Sequence, residues 1–270
     1  MTDITVLSLG AGVQSSVMAL MAAKGELPMP DCAIFADTQW EPRGVYEHLD
    51  WLESVLPFPV HRVSRGNIKE DHLNGTRGRM FAAFPSFVIQ DNGSTGMVGM
   101  RSCTGDYKVK EVVKEIRRQL GVGKGERVPS GAKVKQWIGI STDEASRMKP
   151  ARETYIENCW PLIEQRMSRY DCQNWFSRHY PGRVLAKSAC IGCPYHSDTM
   201  WREMKLTDPE SWQDAVSVDR AMREGVGNNL TGTQFLHRSC KPLDEVDFRN
   251  LEDMGQINLF ENECEGMCGV

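Results

Sequence analysis

Cys190-Ile-Gly-Cys193-Pro194 is the most specific chemical signal in the chain. Two thiolates at this spacing can share one metal ion or cluster, and a proline directly after the second cysteine is familiar in iron–sulfur segments. Cys103 lies in Arg101-Ser-Cys103-Thr-Gly-Asp-Tyr107-Lys108-Val, ahead of a basic helix. Cationic neighbours and a helix N-terminus both lower a thiol pKa. Cys172, within Arg169-Tyr-Asp-Cys172-Gln-Asn-Trp175, and Cys264 and Cys268, near the C-terminal end, supply further thiols. These groups could serve an iron–sulfur cluster, a four-thiolate zinc ion or a redox disulfide. Cys32 reads as a buried strand residue, and Cys159 and Cys240 as structural. His196 follows the Cys-x-x-Cys closely but reads as a surface histidine.

A second group is made of glycines, hydroxyls and charge. Ser8-Leu-Gly10-Ala-Gly12-Val-Gln14-Ser15-Ser16 joins an apolar strand to a run of helix formers. Glycines let backbone N–H groups turn toward an anion, and the helix adds its positive end. The same residues would also suit a plain tight turn and helix cap, and the loop is not a Walker loop, since no Gly-Lys-Ser/Thr follows. Asp37-Thr38 closes the next strand, where an aspartate can hydrogen-bond a nucleotide or cap a helix. Gly139-Ile-Ser141-Thr-Asp143-Glu144-Ala-Ser-Arg147-Met-Lys149 packs acid, hydroxyl and base just after a strand. That charge serves a ligand or a solvated helix N-terminus.

The elements that must position these residues alternate. Strands are expected at Ile4–Leu9, Cys32–Ala36, Val60–Val63 and Lys135–Ile140. Helices are expected at Val17–Ala23, Val45–Leu56, Tyr107–Leu120, Ser168–Arg178, Thr199–Lys205 and Pro209–Arg223. This order predicts an α/β fold: a Rossmann-like parallel sheet with helices on both faces, followed by a mostly helical, cysteine-bearing C-terminal part. Ligands of such sheets bind beyond the C-terminal strand ends. Residues 64–100 read as an active-site lid or insertion around an aromatic patch, Phe81–Phe87. The expected division is a nucleotide-binding domain over 1–150 and a helical region with a flexible cysteine tail over 151–270.

With 270 residues, a formal net charge of −4 and nine cysteines, the chain is large enough for a core that needs no disulfide staple. The charge balance argues against a nucleic-acid-coating protein, although a local basic patch could bind RNA or DNA. No apolar run is long enough to span a bilayer. The opening residues read as a first strand rather than an export signal, so the expectation is a cytoplasmic protein with reduced or metal-bound thiols and no membrane partner.

Taken together, these segments resemble the phosphoadenosine phosphosulfate (PAPS) reductase family of the adenine nucleotide α-hydrolase-like, PP-loop superfamily. Ser8–Ser16 is similar to a diverged Ser-Gly-Gly-x-Asp-Ser loop, with Gln14 or Ser15 near the place of its aspartate. Phe35-Ala-Asp37-Thr38 with Glu41-Pro42 and Tyr46 is similar to the family's Asp-Thr-Gly…Pro-Glu-Thr-Tyr segment, and Gly139–Arg147 to its Gly-x-Arg-x-x-Glu-x-x-Arg stretch. Cys103…Lys108-Val109 and Cys190…Cys193 resemble the cluster ligands of adenylyl-sulfate reductases, with Thr104 replacing a second cysteine. Glu263-Cys264 is similar to their mobile C-terminal nucleophile, but the Gly-Leu-His that follows it there is absent.

The resemblance implies an adenine nucleotide, ATP or adenylyl-sulfate, held by Ser8, Gly10, Gly12, Gln14, Ser15, Ser16, Asp37, Thr38, Gly139, Ser141 and Glu144. It implies catalytic roles for Cys264, Asp37 and Arg147. An iron–sulfur cluster, of the 4Fe-4S type, would be held by Cys103, Cys190 and Cys193, with Cys172 or a tail cysteine as fourth ligand or the position left open. Three functions follow. The first is a sulfonucleotide reductase, an oxidoreductase drawing on a thiol reductant. The second is an ATP-pyrophosphatase sulfur transferase using Mg2+, which adenylates a tRNA or DNA base and takes sulfur from a donor protein; the segment Lys108–Arg118 could then track nucleic acid or be a solvated helix. The third is a zinc-stapled nucleotide sensor without turnover. A homodimer is compatible with each.

Overall fold

The computed structural model describes residues 3–74, 82–225 and 232–249. The strands are β1 (Asp3–Ser8), β2 (Cys32–Asp37), β3 (Val60–Ser64), β4 (Ser86–Ile89), β5 (Thr95–Val98), β6 (Lys133–Trp137), β7 (Ile156–Cys159) and β8 (Thr233–Phe235). The helices are α1 (Val13–Ala23), α2 (Arg43–Val55), α3 (Ile68–Asn74), α4 (Lys110–Gln119), α5 (Pro161–Glu164), α6 (Arg169–His179), α7 (Asp198–Thr207) and α8 (Pro209–Arg223). A π-helical segment, Cys103–Val109, runs into α4, and a 3-10 segment, Thr142–Arg147, follows β6.

Five strands form a parallel sheet in the order β3-β2-β1-β6-β7. Alternate residues go to opposite faces, as the two-residue period of a strand requires. Leu7, Ala33, Phe35 and Trp137 enter a core with α1, α2 and α6, while Val6, Ile34, Val134 and Ile156 meet Val112 and Ile116 of α4 on the other face. Burial on both faces explains why β1 and β2 read as largely apolar runs. The chain leaves β1 toward β2 and β3 in one direction and returns to β6 on the other side of β1. The sheet is therefore doubly wound, and the strand order reverses between β1 and β6, where such folds open a crevice.

A second sheet, antiparallel in the order β5-β4-β8, was not expected from the sequence. It resolves much of the irregular stretch 64–100, and with α3, α7 and α8 it borders a separate core containing Trp40, Phe84, Tyr107, Trp201 and Trp212. Packing and strand pairing both run across residue 150. Cys172, Trp175 and Phe176 belong to the first core, and β4 pairs with β8 across about 150 residues of chain. The weak strand β7 was also missed, and β6 ends at Trp137, short of the expected Ile140. Among the described residues, no helix is long and apolar enough to cross a membrane.

Buried histidines make stability depend on pH, His48 and His72 among them. His48, bonded to Ser16, and His72, stacked on Phe84 at 3.8 Å, are both pushed down to about 4 by burial. Below the ordinary histidine pKa of about 6.5 the unfolded chain takes up protons that the folded chain refuses. Stability is therefore full above that value and falls as the pH drops toward 4, by about 1 kcal/mol per pH unit for each histidine. Urea midpoints measured from pH 7 to pH 4.5 should decline steadily.

Candidate functional site

The C-terminal ends of β1 and β6 bring together the two loops expected to meet there. Gly12 caps α1 with its backbone alone, and the first-turn N–H groups of the helix have no intrahelical acceptors. Before it, Ala11 is held at φ 53°, a left-handed conformation that costs energy in a residue with a Cβ. Gly139 presses on the same turn: a Cβ there would stand 3.0 Å from the Ser15 nitrogen. A glycine lets the strand end approach this closely without displacing the turn.

Gln14 is the hub of the crevice. Its amide nitrogen donates to Ser141 Oγ at 3.3 Å and to Glu144 Oε2 at 3.1 Å, while its oxygen accepts from Arg169 Nη1 at 3.3 Å. Arg147 donates to the other oxygen of Glu144 at 2.8 Å. Burial pushes the Glu144 carboxyl up, and Arg147 opposes it. Arg169 on α6 was not singled out from the sequence, because nothing local in the chain links residue 169 to residue 14.

Gln14→Glu should turn two donors into a charge facing Glu144, costing about 1–3 kcal/mol at neutral pH. The crowded carboxyls would bind a proton more tightly folded than unfolded. The defect should therefore be relieved as pH falls and be fully expressed above their raised pKa values. Thermal unfolding at pH 7 and pH 5 measures the difference.

The hydroxyls divide. Ser15 Oγ accepts from Gly10 N at 3.1 Å and holds the loop. Ser16 is fully buried and paired with His48 Nε2 at 3.0 Å, so it faces α2 and not a ligand at the sheet edge. Ser8 is partly buried at the end of β1. Asp37 is positioned by the Gln39 N–H at 2.7 Å and the Tyr46 hydroxyl at 2.9 Å, which donate to one carboxylate oxygen.

Thr38 departs from its expected place as a nucleotide contact. It is fully buried, and its hydroxyl lies 3.3 Å from the Cys190 sulfur and donates to Glu41 at 3.1 Å. It belongs to the thiols.

Those thiols gather. Cys103, Cys190 and Cys193 line one cavity of about 30 Å3 with Trp40, Phe84, Arg101, Lys108 and Tyr195. The π-helical turn places Cys103 and Lys108 five residues apart, one π turn, so both reach the cavity. The Cys190–Cys193 turn is pinned to the end of β2 by Ile191 N donating to the Trp40 carbonyl at 2.9 Å. Just ahead of it, Ser188 packs against Gly12, where a Cβ would meet Ser188 Cβ at 3.3 Å. The glycine loop and the thiol segment therefore touch.

Cys172 does not join them. It is fully buried in the core between α1 and α6, and burial pushes its thiol up to about 12. Its place on an amphipathic helix, not its neighbours in sequence, decides this. His196 is not on the surface: it is 7 % exposed, packs on Trp201 at 4.6 Å and is pushed down to about 4 by burial. Cys32 and Cys240 are buried as expected, and Cys159 is partly exposed at the end of β7. Cys264 and Cys268 lie outside the described residues.

The chain matches no known protein family and no curated protein. The site therefore rests on its own geometry. Among the described residues, no three His, Cys, Asp or Glu side chains close on a single metal ion. The donor set is nonetheless chemically suited to an iron–sulfur cluster: three thiols on one cavity wall, with Lys108 and Arg101 to offset thiolate charge and apolar rings around them. A cluster distributes its thiolates around several irons, unlike a single ion at their centre. The cavity holds about one water.

Proposed function

We propose that this protein is an adenine-nucleotide-dependent enzyme of sulfur chemistry, a sulfonucleotide reductase of the PAPS reductase type. One observation carries the reading: the Cys190 turn is fixed to the end of β2, beside the crevice where Gly10–Gln14 and Gly139–Glu144 meet. Thiols and a nucleotide-type loop thus share one sheet edge. The backbone N–H groups of the Gly10–Gln14 loop, Gln14 and Arg147 would hold the anionic end of adenylyl-sulfate, and Asp37 its nucleoside part. Cys103, Cys190 and Cys193 would hold the cluster, which would supply a redox-active group beside the nucleotide loop, while Lys108 and Arg101 bring positive charge to the same cavity.

The Cys264 thiolate would attack the sulfate sulfur. An S–S bond forms and the S–O bond to the phosphate breaks, releasing AMP. A thiol reductant then attacks the Cys264 sulfur, expelling sulfite and leaving a mixed disulfide that a second thiol resolves. Two electrons pass from thiols to sulfur.

The anaerobically purified chain, assayed for iron, sulfide and zinc, should be brown with matching iron and sulfide. With dithiothreitol it should yield sulfite and an equal amount of AMP from adenylyl-sulfate, or of adenosine 3′,5′-bisphosphate from the 3′-phosphorylated form. Pyrophosphate released from ATP only with a nucleic-acid acceptor would replace this reading with ATP-dependent sulfur transfer. A colourless zinc protein that binds nucleotide without turnover would replace it with a sensor.

A further inference from the structure

Between the crevice and the thiols lies a carboxylate that neither group requires. Glu41 is 4 % exposed. Its Oε1 accepts from the Thr38 hydroxyl at 3.1 Å and stands 3.4 Å from the Cys190 sulfur and 3.7 Å from Lys108 Nζ. Its Oε2 is buried and meets no hydrogen-bond partner among the described residues. A carboxylate with half its accepting capacity unused is expensive to bury. A glutamine or an aliphatic residue would fill the same space at lower cost, so packing alone does not explain the charge.

We propose that Glu41 is a positioning residue of the thiol site, which orients Cys190 together with Thr38 and sets the reduction potential of the group bound there. The proposal rests on the cluster reading above. A thiolate-bound cluster becomes more negative on reduction, and the potential of such clusters follows net charge and hydrogen bonding at the sulfurs. A carboxylate in contact with one ligand sulfur therefore disfavours the reduced form. Burial strengthens the effect, because little solvent lies between the charge and the thiol. Lys108 reaches the same carboxylate oxygen and acts in the opposite sense. One negative and one positive side chain thus bear on a single quantity from one side of the cavity.

The test uses the full chain, purified anaerobically as wild type, Glu41→Gln, Glu41→Asp and Lys108→Met. Each is assayed for iron and sulfide and titrated potentiometrically with spectroscopic detection. Glu41→Gln keeps the size and hydrogen-bonding reach of the side chain and should bind the same iron and sulfide at a more positive potential. Lys108→Met should shift the potential the other way, and Glu41→Asp, which retains the charge, should stay near the wild type. A Glu41→Gln cluster at the wild-type potential overturns the proposal. So does loss of the cluster in both Glu41 variants, which would make the residue a packing element. If only Glu41→Gln loses the cluster, the charge is needed to seat the cluster and the effect on potential is read from Lys108→Met, whose unchanged potential would overturn the proposal. Wild-type protein without iron overturns the cluster reading itself and the proposal with it, an outcome recognisable because no variant then shows a cluster spectrum.

Discussion

Gly192→Ala is expected to destabilise the protein by on the order of 3 kcal/mol and to abolish the thiol arrangement. The added methyl would stand 2.1 Å from the Trp40 ring, with two further ring atoms at 2.7 and 2.9 Å. Trp40 has little room to yield. It is 4 % exposed, its indole N–H donates to Asp214 at 2.6 Å, and its ring packs on Phe84 at 5.5 Å. The backbone bond from Ile191 to Trp40 holds the two segments in this approach. Relief must therefore come from the 190–193 turn moving away, which carries Cys190 off Thr38 and Glu41. Urea unfolding measures the first effect, and iron retained after anaerobic purification the second. Near-normal values of both would mean that the contact between the turn and Trp40 is not what seats the thiols.

The second large effect is on chemistry and spares the fold. Cys190→Ser should lower sulfite formation by a factor on the order of a thousand, as when one member of a concerted site is removed. Serine nearly conserves the volume and can still meet Thr38, so little stability is lost. A hydroxyl is a poor ligand for iron, however, and iron and sulfide content should fall together. AMP binding, measured by calorimetry, should remain close to wild type, since the Gly10–Gln14 loop and Arg147 are untouched. The corresponding Cys172→Ser change should leave both metal content and turnover unchanged, because Cys172 is packed between α1 and α6. If Cys172→Ser loses iron and Cys190→Ser does not, the ligand assignment is reversed.

The two variants probe different sides of one arrangement. Gly192 matters because backbone must come close to an indole, and Cys190 because a sulfur must stand at a given place. Their separation by a single residue, Ile191, shows how the Cys-x-x-Cys combines both demands. The spacing presents two sulfurs on one turn, and the intervening glycine lets that turn lie flat on Trp40.

By itself the sequence determined the α/β architecture and the segments that carry chemistry. Apolar strands alternating with helical patterns leave a parallel sheet as the economical way to bury both faces, and β1, β2, β3 and β6 all appear near their expected places. The Cys190–Cys193 pair was legible because its ligand-type spacing is local, whereas Cys103 was grouped with it through the family resemblance. Only the tertiary structure decided which groups face one another. Gln14 meets Arg169 across 155 residues of sequence distance, and Glu41 meets Cys190 across 149. Ser16 and Thr38 turn inward, Cys172 enters the core, and His196 is buried. The short strands β4, β5 and β8 gain their stability from pairing across the chain and from the aromatic core beside them. Propensity acts over a few neighbours, whereas burial and hydrogen-bond partnership are set by whichever distant segment packs opposite. That is why the sheet was legible in the chain and the identity of the residues at its edge was not.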